Sequence, residues 1–215
     1  MSRLLHFTYD ILLEFSRPVT RHSFVLRCLP PQLPGQQILD AELVLDPAVP
    51  FSVQRDGFGN LLQAGCIQDP HASFHYTARG TALRDDTRRQ PEPCHPVFRM
   101  ESAYTRPDPD MTGWLASLSL PDTPRQLAWA LAQAVHDRIA YVPGATGVAT
   151  TAAQAFAAGQ GVCQDFAHIY LALARKAGLA ARYVNGLPEG EGASHAWCEV
   201  WLDGIWTGID PTRLQ

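Results

Sequence analysis

The sequence predicts an α+β protein. We expect a β-rich, sandwich-like unit over residues 1–85, a proline-rich connector over 86–110, and helices packed on an antiparallel sheet over 111–215. Three observations favour this division. Apolar and polar residues alternate in the first part of the chain, which is the period of a half-buried strand. Prolines crowd the middle. Capped helical patterns followed by a strong hairpin signal fill the last part.

The segment HFTYDILLEF shows the clearest alternation. Its apolar positions are Phe7, Tyr9, Ile11, Leu13 and Phe15. SFVLRCL, QILDAELVL and SFHYTA repeat the pattern. The sequence DGFGN at residues 56–60 is a turn cluster, because its residue types tolerate a positive φ. Several short strands separated by turn signals predict an antiparallel β-sandwich or a similar unit.

Helical signals follow the connector. TPRQ, at the start of residues 123–139, has the form of a capping box with proline at the first helical position. TAAQ at residues 151–154 is a second such box, and it opens a short helix that stops at Gly159. A third helix begins near Cys163 and ends at Gly178. The strands ARYVNG, SHAWCEVWL and IWTGID complete the chain.

Composition excludes several classes of protein. The chain is 46% hydrophobic with a formal net charge of -4, and Asp85 and Asp86 offset its densest basic stretch, so no nucleic acid partner is expected. No apolar stretch approaches the ~18–20 residues that cross a bilayer, and the N-terminus is too polar for a signal peptide. Five cysteines without a CxxC pair favour a reduced compartment. We therefore expect a cytoplasmic protein without a membrane partner.

Cys163 is the first candidate for catalysis. It lies in GQGVCQDF, where a glycine-rich loop enters a helix. The unpaired N–H groups and the dipole of a helix start favour thiolate over thiol, and the same N–H groups can hold an oxyanion. Glycines let a substrate backbone come close. The alternative is a buried, inert cysteine, and this segment alone leaves the two interpretations open.

The hairpin signal Asp203-Gly204 supplies the second candidate. A two-residue type I′ turn at this position makes Trp197 face Asp210 across the hairpin. His195 lies two residues before Trp197 and points to the same side. His195 and Asp210 are then diagonal neighbours, close enough for the carboxylate to hold the imidazole. A shift of one residue would place Asp210 on the core face.

These residues fit nucleophilic catalysis. We expect the imidazole of His195 within hydrogen-bond reach of the Cys163 sulfur, so that it takes the thiol proton and later protonates a leaving amine. Asp210 would fix the tautomer of the ring. Gln160 is a candidate side-chain donor to the oxyanion. Trp197 either walls the cleft or covers the sheet.

Other polar residues near these positions are expected to be structural. Asp165 suits a helix cap, and His168 points roughly 140° away from Cys163 around the helix axis. His195 and Cys198 lie three residues apart on one strand and point to opposite faces, so they do not share a metal ion.

Two long segments carry a family resemblance. GQGVCQDFAHIYLALARKAGLAARYVNG and GEGASHAWCEVWLDGIWTGIDPT closely resemble the core of the bacterial transglutaminase-like superfamily. The first unit, including the DGFGN turn, resembles the β-rich region that precedes this core in bacterial members. The resemblance implies a papain-like core, the triad Cys163, His195 and Asp210, and no metal for the thiol chemistry. Members usually continue beyond the Asp-Pro-Thr segment, so a chain that ends at Gln215 is either naturally short or truncated.

The expected activity is acyl transfer at a peptide or side-chain amide through a Cys163 thioester, with water as the favoured acceptor. This is a transglutaminase-like cysteine hydrolase of the peptidase or amidase type, with a peptide or protein substrate and no cofactor. The alternatives left open are a protein-glutamine transglutaminase, a non-catalytic peptide-binding module and a redox-sensing thiol. The sequence indicates neither the natural substrate nor the oligomeric state.

Overall fold

The structure is a computed structural model that describes residues 2–85, 87 and 91–215. Residues 86 and 88–90 of the predicted connector lie outside the described residues. The chain divides between residues 90 and 91 into two compact units. In the described part of the chain, no helix is long and apolar enough to span a bilayer.

The first unit is built from antiparallel strands, as predicted. They are β1 (Ser2–Val19), β2 (His22–Leu26), β3 (Gln36–Asp46), β4 (Phe51–Arg55), β5 (Leu61–Ile67) and β6 (His71–Asp85). One sheet has the order β1-β6-β3 and the other has the order β2-β5-β4. Their ladders are antiparallel.

The two sheets of this unit share a core. Phe24 and Ile67 come from one sheet, and Leu45 and Phe74 from the other. The rings of Phe24 and Phe74 lie 5.0 Å apart between centroids. Leu13 departs from the alternation predicted for β1 and is 42% exposed, although it still pairs in regular register with Phe74.

The predicted turn cluster joins β4 to β5. The carboxylate of Asp56 accepts hydrogen bonds from the backbone N–H groups of Phe58 (2.9 Å) and Asn60 (3.0 Å). The side-chain amide of Asn60 also donates to it. The Asn60 side chain, followed by these backbone donors, lowers the pKa of Asp56 to about 2. Gly59 has a φ of +85°, so the predicted need for a positive φ in this turn is confirmed.

The second unit contains helices packed on an antiparallel sheet, as predicted. The helices are α1 (Pro109–Ser117), α2 (Pro124–Arg138), α3 (Ala152–Ala158) and α4 (Cys163–Lys176), with a short 3₁₀ helix at Pro96–Arg99. The strands are β7 (Ala140–Tyr141), β8 (Gln160–Gly161), β9 (Ala181–Gly186), β10 (His195–Leu202) and β11 (Ile205–Ile209). The sheet order is β11-β10-β9. Helix α4 contacts the other three helices as well as β9 and β10, and it is buried along almost its whole length.

The predicted helix boundaries hold, but one predicted cap does not. Thr151 and Gln154 form the reciprocal capping box of α3, and Gly159 ends that helix with a φ of +66°. Thr123 precedes α2 as predicted, but its side chain makes no backbone cap. Its hydroxyl donates instead to the side chain of Gln126 at 2.6 Å. The capping box predicted at α2 is therefore wrong, because the two side chains satisfy each other.

Residues 91–110 of the predicted connector belong to the second unit. Arg175, near the end of α4, donates hydrogen bonds to the carbonyl of Phe98 (3.2 Å), the hydroxyl of Thr105 (2.8 Å) and the carbonyl of Ala181 (2.8 Å). Helix α1, which the sequence analysis missed, starts here with the carboxylate of Asp108 accepting the N–H of Met111 at 2.8 Å. This segment therefore belongs to the packed structure of the second unit.

Candidate active site

The loop before Cys163 is held by short parallel pairing between β7 and β8. The N–H of Ala140 donates to the carbonyl of Gly159, and the N–H of Val142 donates to that of Gly161, both at 2.9 Å. Cys163 is then the first residue of α4 and is partly buried. The first N–H groups of a helix have no intrahelical acceptor, and their positive end favours a thiolate. The predicted position of the thiol at a helix start is confirmed.

Asp165 caps this helix from inside the protein. Its side chain is fully buried, and Oδ2 accepts hydrogen bonds from the Val162 N–H (2.8 Å) and the Thr146 hydroxyl (2.5 Å). A Cβ on Gly161 would lie only 2.6 Å from the Cβ of Asp165. Gly161 therefore makes room for the cap, a constraint separate from the substrate approach that the sequence suggested. The structural role expected for Asp165 is confirmed.

The hairpin that carries the other two candidates has the predicted register. Asp203 and Gly204 have φ values of +54° and +87°, as a type I′ turn requires. The paired residues are Leu202 with Ile205, Trp201 with Trp206, Val200 with Thr207, Glu199 with Gly208 and Cys198 with Ile209. The next step of this ladder sets Trp197 against Asp210, just beyond the end of β11. On β10, Ala196, Cys198, Val200 and Leu202 are buried, which confirms the predicted core face.

His195 and Asp210 form a buried, hydrogen-bonded pair. His195 Nε2 lies 2.7 Å from Asp210 Oδ2, and the two side chains are only 10% and 8% exposed. The other carboxylate oxygen, Oδ1, accepts the N–H groups of Thr212 (2.8 Å) and Arg213 (3.2 Å). Because an ionised carboxylate only accepts, the ring carries its proton on Nε2. Nδ1 is then left as a base.

The directions of α4 and β10 place Cys163 and His195 at the same end of the α4–β10 contact. The Cys198 thiol donates to the carbonyl of Ala167 at 3.5 Å, so these two residues mark where β10 crosses α4. β9 returns from the end of α4, and β10 runs antiparallel to β9, so β10 runs in the direction of α4. Cys163 precedes Ala167 by one helical turn, and His195 precedes Cys198 by three strand residues. Among the described residues, no hydrogen bond joins the Cys163 thiol to His195, so their direct contact stays a prediction.

Trp197 and Gln160 occupy different surroundings. The ring of Trp197 stacks on His195 with centroids 6.2 Å apart. Gly186, opposite His195, leaves room for the indole, since a Cβ there would lie 2.5 Å from it. Gln160 is exposed, and its backbone pairs with Ala140. The role of Trp197 as a cleft wall and that of Gln160 as an oxyanion donor stay predictions.

Sequence reasoning missed Tyr183, which lies on β9 directly opposite Cys198. Burial, followed by the nearby Cys163 thiol, raises the pKa of Tyr183 to about 12. Tyr183 is 39% exposed and lies near enough to the Cys163 thiol to interact with it electrostatically. Only the pairing of β9 with β10 reveals this, and the short segment ARYVNG carries no signal for it.

The structure offers no assembled metal site among the residues it describes. Over residues 2–85, 87 and 91–215, no group of three or more His, Cys, Asp or Glu side chains is arranged to hold an ion. The expectation that the reaction needs no metal stays a prediction.

Comparison with known families agrees with both units. Residues 114–211 match the sequence model of the transglutaminase-like superfamily. Residues 5–82 match that of the bacterial transglutaminase-like N-terminal region. The second unit is therefore similar to a transglutaminase-like core, and the first unit to the bacterial transglutaminase-like N-terminal region. The two matches together support a cysteine-dependent enzyme.

Individual relatives extend the same picture. An uncharacterised protein of Mycobacterium tuberculosis is 29% identical over 217 residues, which cover 84% of this chain and 69% of that protein. An uncharacterised protein of Mycobacterium leprae is 39% identical over 100 residues, or 42% of this chain and 36% of that protein. A crystal structure named as a putative cysteine protease from Cytophaga hutchinsonii superimposes with a TM-score of 0.77 at 22% identity, covering 98% of this chain and 80% of that one. This last similarity establishes the fold.

Proposed function

We propose that this transglutaminase-like protein is a cysteine hydrolase that cleaves peptide or side-chain amide bonds through a thioester on Cys163. One observation carries the proposal. A buried histidine–carboxylate pair, His195 with Asp210, is joined at 2.7 Å and lies at the end of the sheet where α4 begins. A thiol, an imidazole and an orienting carboxylate are the groups that this chemistry needs.

The first half-reaction forms the thioester. The Sγ proton of Cys163 passes to Nδ1 of His195, and the carboxylate of Asp210 stabilises the resulting imidazolium. The thiolate attacks the substrate carbonyl carbon, and the carbonyl oxygen becomes an oxyanion. The N–H groups of Cys163 and Gln164, at the start of α4, are suited to hold it. The imidazolium then gives its proton to the leaving nitrogen, the C–N bond breaks and the amine departs.

The second half-reaction releases the acyl group. A water molecule gives a proton to Nδ1 of His195 and attacks the thioester carbon. The C–S bond breaks, the product leaves as a carboxylic acid, and the returning proton restores the thiol–imidazole pair. If a primary amine attacks in place of water, the same residues perform transamidation. Water is the favoured acceptor because it is always present and no acidic patch for an amine was evident in the sequence.

A panel of peptide, isopeptide and glutaminyl substrates tests this proposal. Each substrate is incubated with and without a primary amine, and hydroxylamine traps the thioester. We expect cleavage or ammonia release without added amine, its loss in Cys163→Ala, and its retention in the matched control Cys94→Ala. Amine incorporation that exceeds hydrolysis would identify a transglutaminase. Peptide binding without turnover would identify a binding module, and activity in Cys163→Ala would overturn the mechanism.

A further inference from the structure

Two buried polar atoms on α4 have no partner among the described residues. Oδ1 of Asp165 is one, while its other oxygen is fully engaged by the cap of α4. Nδ1 of His168 is the second. Residues three apart on a helix are neighbours on its surface, so these atoms belong to one small region. Buried polar atoms in native proteins almost always have a protein or water partner.

Both atoms are acceptors. Burial lowers the pKa of His168, and Asp165 and then a hydrogen bond to the Thr150 backbone act to raise it. A neutral imidazole carries one N–H. Because Nδ1 has no partner among the described residues, we assign the interaction with the Thr150 backbone to Nε2, and Nδ1 then presents a lone pair. The carboxylate oxygen presents lone pairs as well. Two acceptors cannot satisfy each other, and a molecule with two donors between them satisfies both.

The imidazole of His168 has two aromatic neighbours. Tyr104 and Tyr183 lie beside it, with ring centroids 5.8 Å and 5.4 Å away. Arg175, two turns further along α4, disfavours a charge on the ring. With the imidazole neutral, the lone pairs of His168 Nδ1 and Asp165 Oδ1 stay unpaired unless a donor bridges them.

We propose that a buried water molecule donates one hydrogen bond to Asp165 Oδ1 and the other to His168 Nδ1. His168 is thereby a positioning residue for the first turn of α4. The line of support runs from the Thr150 carbonyl through His168 and the water to Asp165, whose other oxygen holds the Val162 N–H immediately before Cys163. The water site stands by itself, whereas its effect on catalysis rests on the proposed function.

The first test is a crystal structure of the full chain at a resolution that shows ordered water. We expect one water about 2.7–3.2 Å from both Asp165 Oδ1 and His168 Nδ1. A direct hydrogen bond between the two side chains, or well-ordered side chains with no density between them, would overturn the proposal.

The second test compares two substitutions of His168 by the rate at which iodoacetamide alkylates Cys163, followed by mass spectrometry near neutral pH. His168→Asn keeps an amide near the Nδ1 position, and His168→Leu removes both nitrogens at similar volume. An unsatisfied buried carboxylate oxygen shifts an equilibrium by about tenfold or more. We therefore expect a loss of about tenfold in rate for Leu and a rate within about twofold of the wild type for Asn.

Equal rates in the two variants would refute the positioning role. Alkylation needs no turnover, so this result is separate from the proposed function. The protein could lack hydrolase activity and still show both the water and the difference between the Asn and Leu variants. In that case the inference about the water and His168 stands, and only its link to catalysis is lost. If His168→Leu does not fold, the wild-type density and the alkylation rate of His168→Asn decide the question.

Discussion

Replacing Asp210 with asparagine removes one charge and should also reverse the direction of its hydrogen bond to His195. Oδ1 of Asp210 accepts two backbone N–H groups, from Thr212 and Arg213. The amide of an asparagine would place its oxygen there, because its NH₂ group would oppose those two donors. The NH₂ group then faces His195 Nε2, which must accept. The ring proton moves to Nδ1, the nitrogen that has to take the proton of Cys163.

The size of the effect follows from two losses. The charge-assisted hydrogen bond at 2.7 Å is worth about 1.5–3 kcal/mol, or roughly 10–150-fold in rate at 1.36 kcal/mol per tenfold. Loss of the carboxylate charge beside the imidazolium adds to this. In a serine protease triad the same change costs about 10⁴-fold. A thiolate forms an ion pair with imidazolium and depends less on the carboxylate, so we expect a loss of about 10²–10³-fold in kcat.

The assay is steady-state hydrolysis of the best substrate, paired with urea unfolding. Asp203→Asn is the matched control, since it makes the same chemical change at the exposed tip of the same hairpin. There it removes only a surface ion pair with Arg125, worth about 0–1 kcal/mol. We expect both variants to fold and only Asp210→Asn to lose activity. Turnover within about threefold of the wild type in a folded Asp210→Asn chain would remove Asp210 from the mechanism.

Three further predictions concern packing and pH. Gly161→Ala forces a Cβ into the Asp165 side chain, so urea unfolding should show that the free energy of unfolding falls by about 1–3 kcal/mol. Gly147→Ala is the control and should change it little, because no atom lies within 4 Å of the added Cβ. Equal effects of the two substitutions would contradict the packing argument. The pKa of Asp56 is lowered to about 2, so its carboxylate stabilises the fold fully above its unfolded pKa of about 4 and loses this effect as pH falls through about 2. The stability difference between the wild type and Asp56→Asn should therefore shrink over that range, and a difference independent of pH would count against it. Burial raises the pKa of Cys28 to about 11, so iodoacetamide should label it only when urea unfolds the chain, and rapid labelling of the native protein would show the thiol to be accessible.

Local sequence signals were sufficient to predict the part of the candidate site that lies on the hairpin. Asp203-Gly204 demands a turn with two positive φ values, and that demand fixes every pairing back to Trp197 by counting. The contact between His195 and Asp210 follows from this register. The helix start at Cys163 was equally local, because a glycine-rich loop and a helical period meet there. The α+β class followed from periodicity alone.

Features that depend on distant residues were not predictable in this way. Thr146 donates to Asp165 from a loop nineteen residues earlier, and no sequence pattern in either segment predicts this hydrogen bond. Tyr183 comes near Cys163 only in the folded protein, where β9 packs against α4. The capping box predicted at Thr123 does not form, because the side chains of Thr123 and Gln126 bond to each other instead of to the backbone. Helix α1 has the local signal Asp108-Pro109, but the surrounding prolines concealed it.

The guanidinium of Arg175 sets a practical limit on how the protein can be divided. Its acceptors lie in three separate stretches of chain, at Phe98, Thr105 and Ala181. A fragment that starts at residue 91 retains all of them. One that starts at 111 keeps the partly buried guanidinium and discards two of its acceptors, which should lower the stability of the second unit. The proline-rich stretch thus supplies hydrogen-bond acceptors to a partly buried charge of the second unit, and removing it as a dispensable spacer would leave that charge without them.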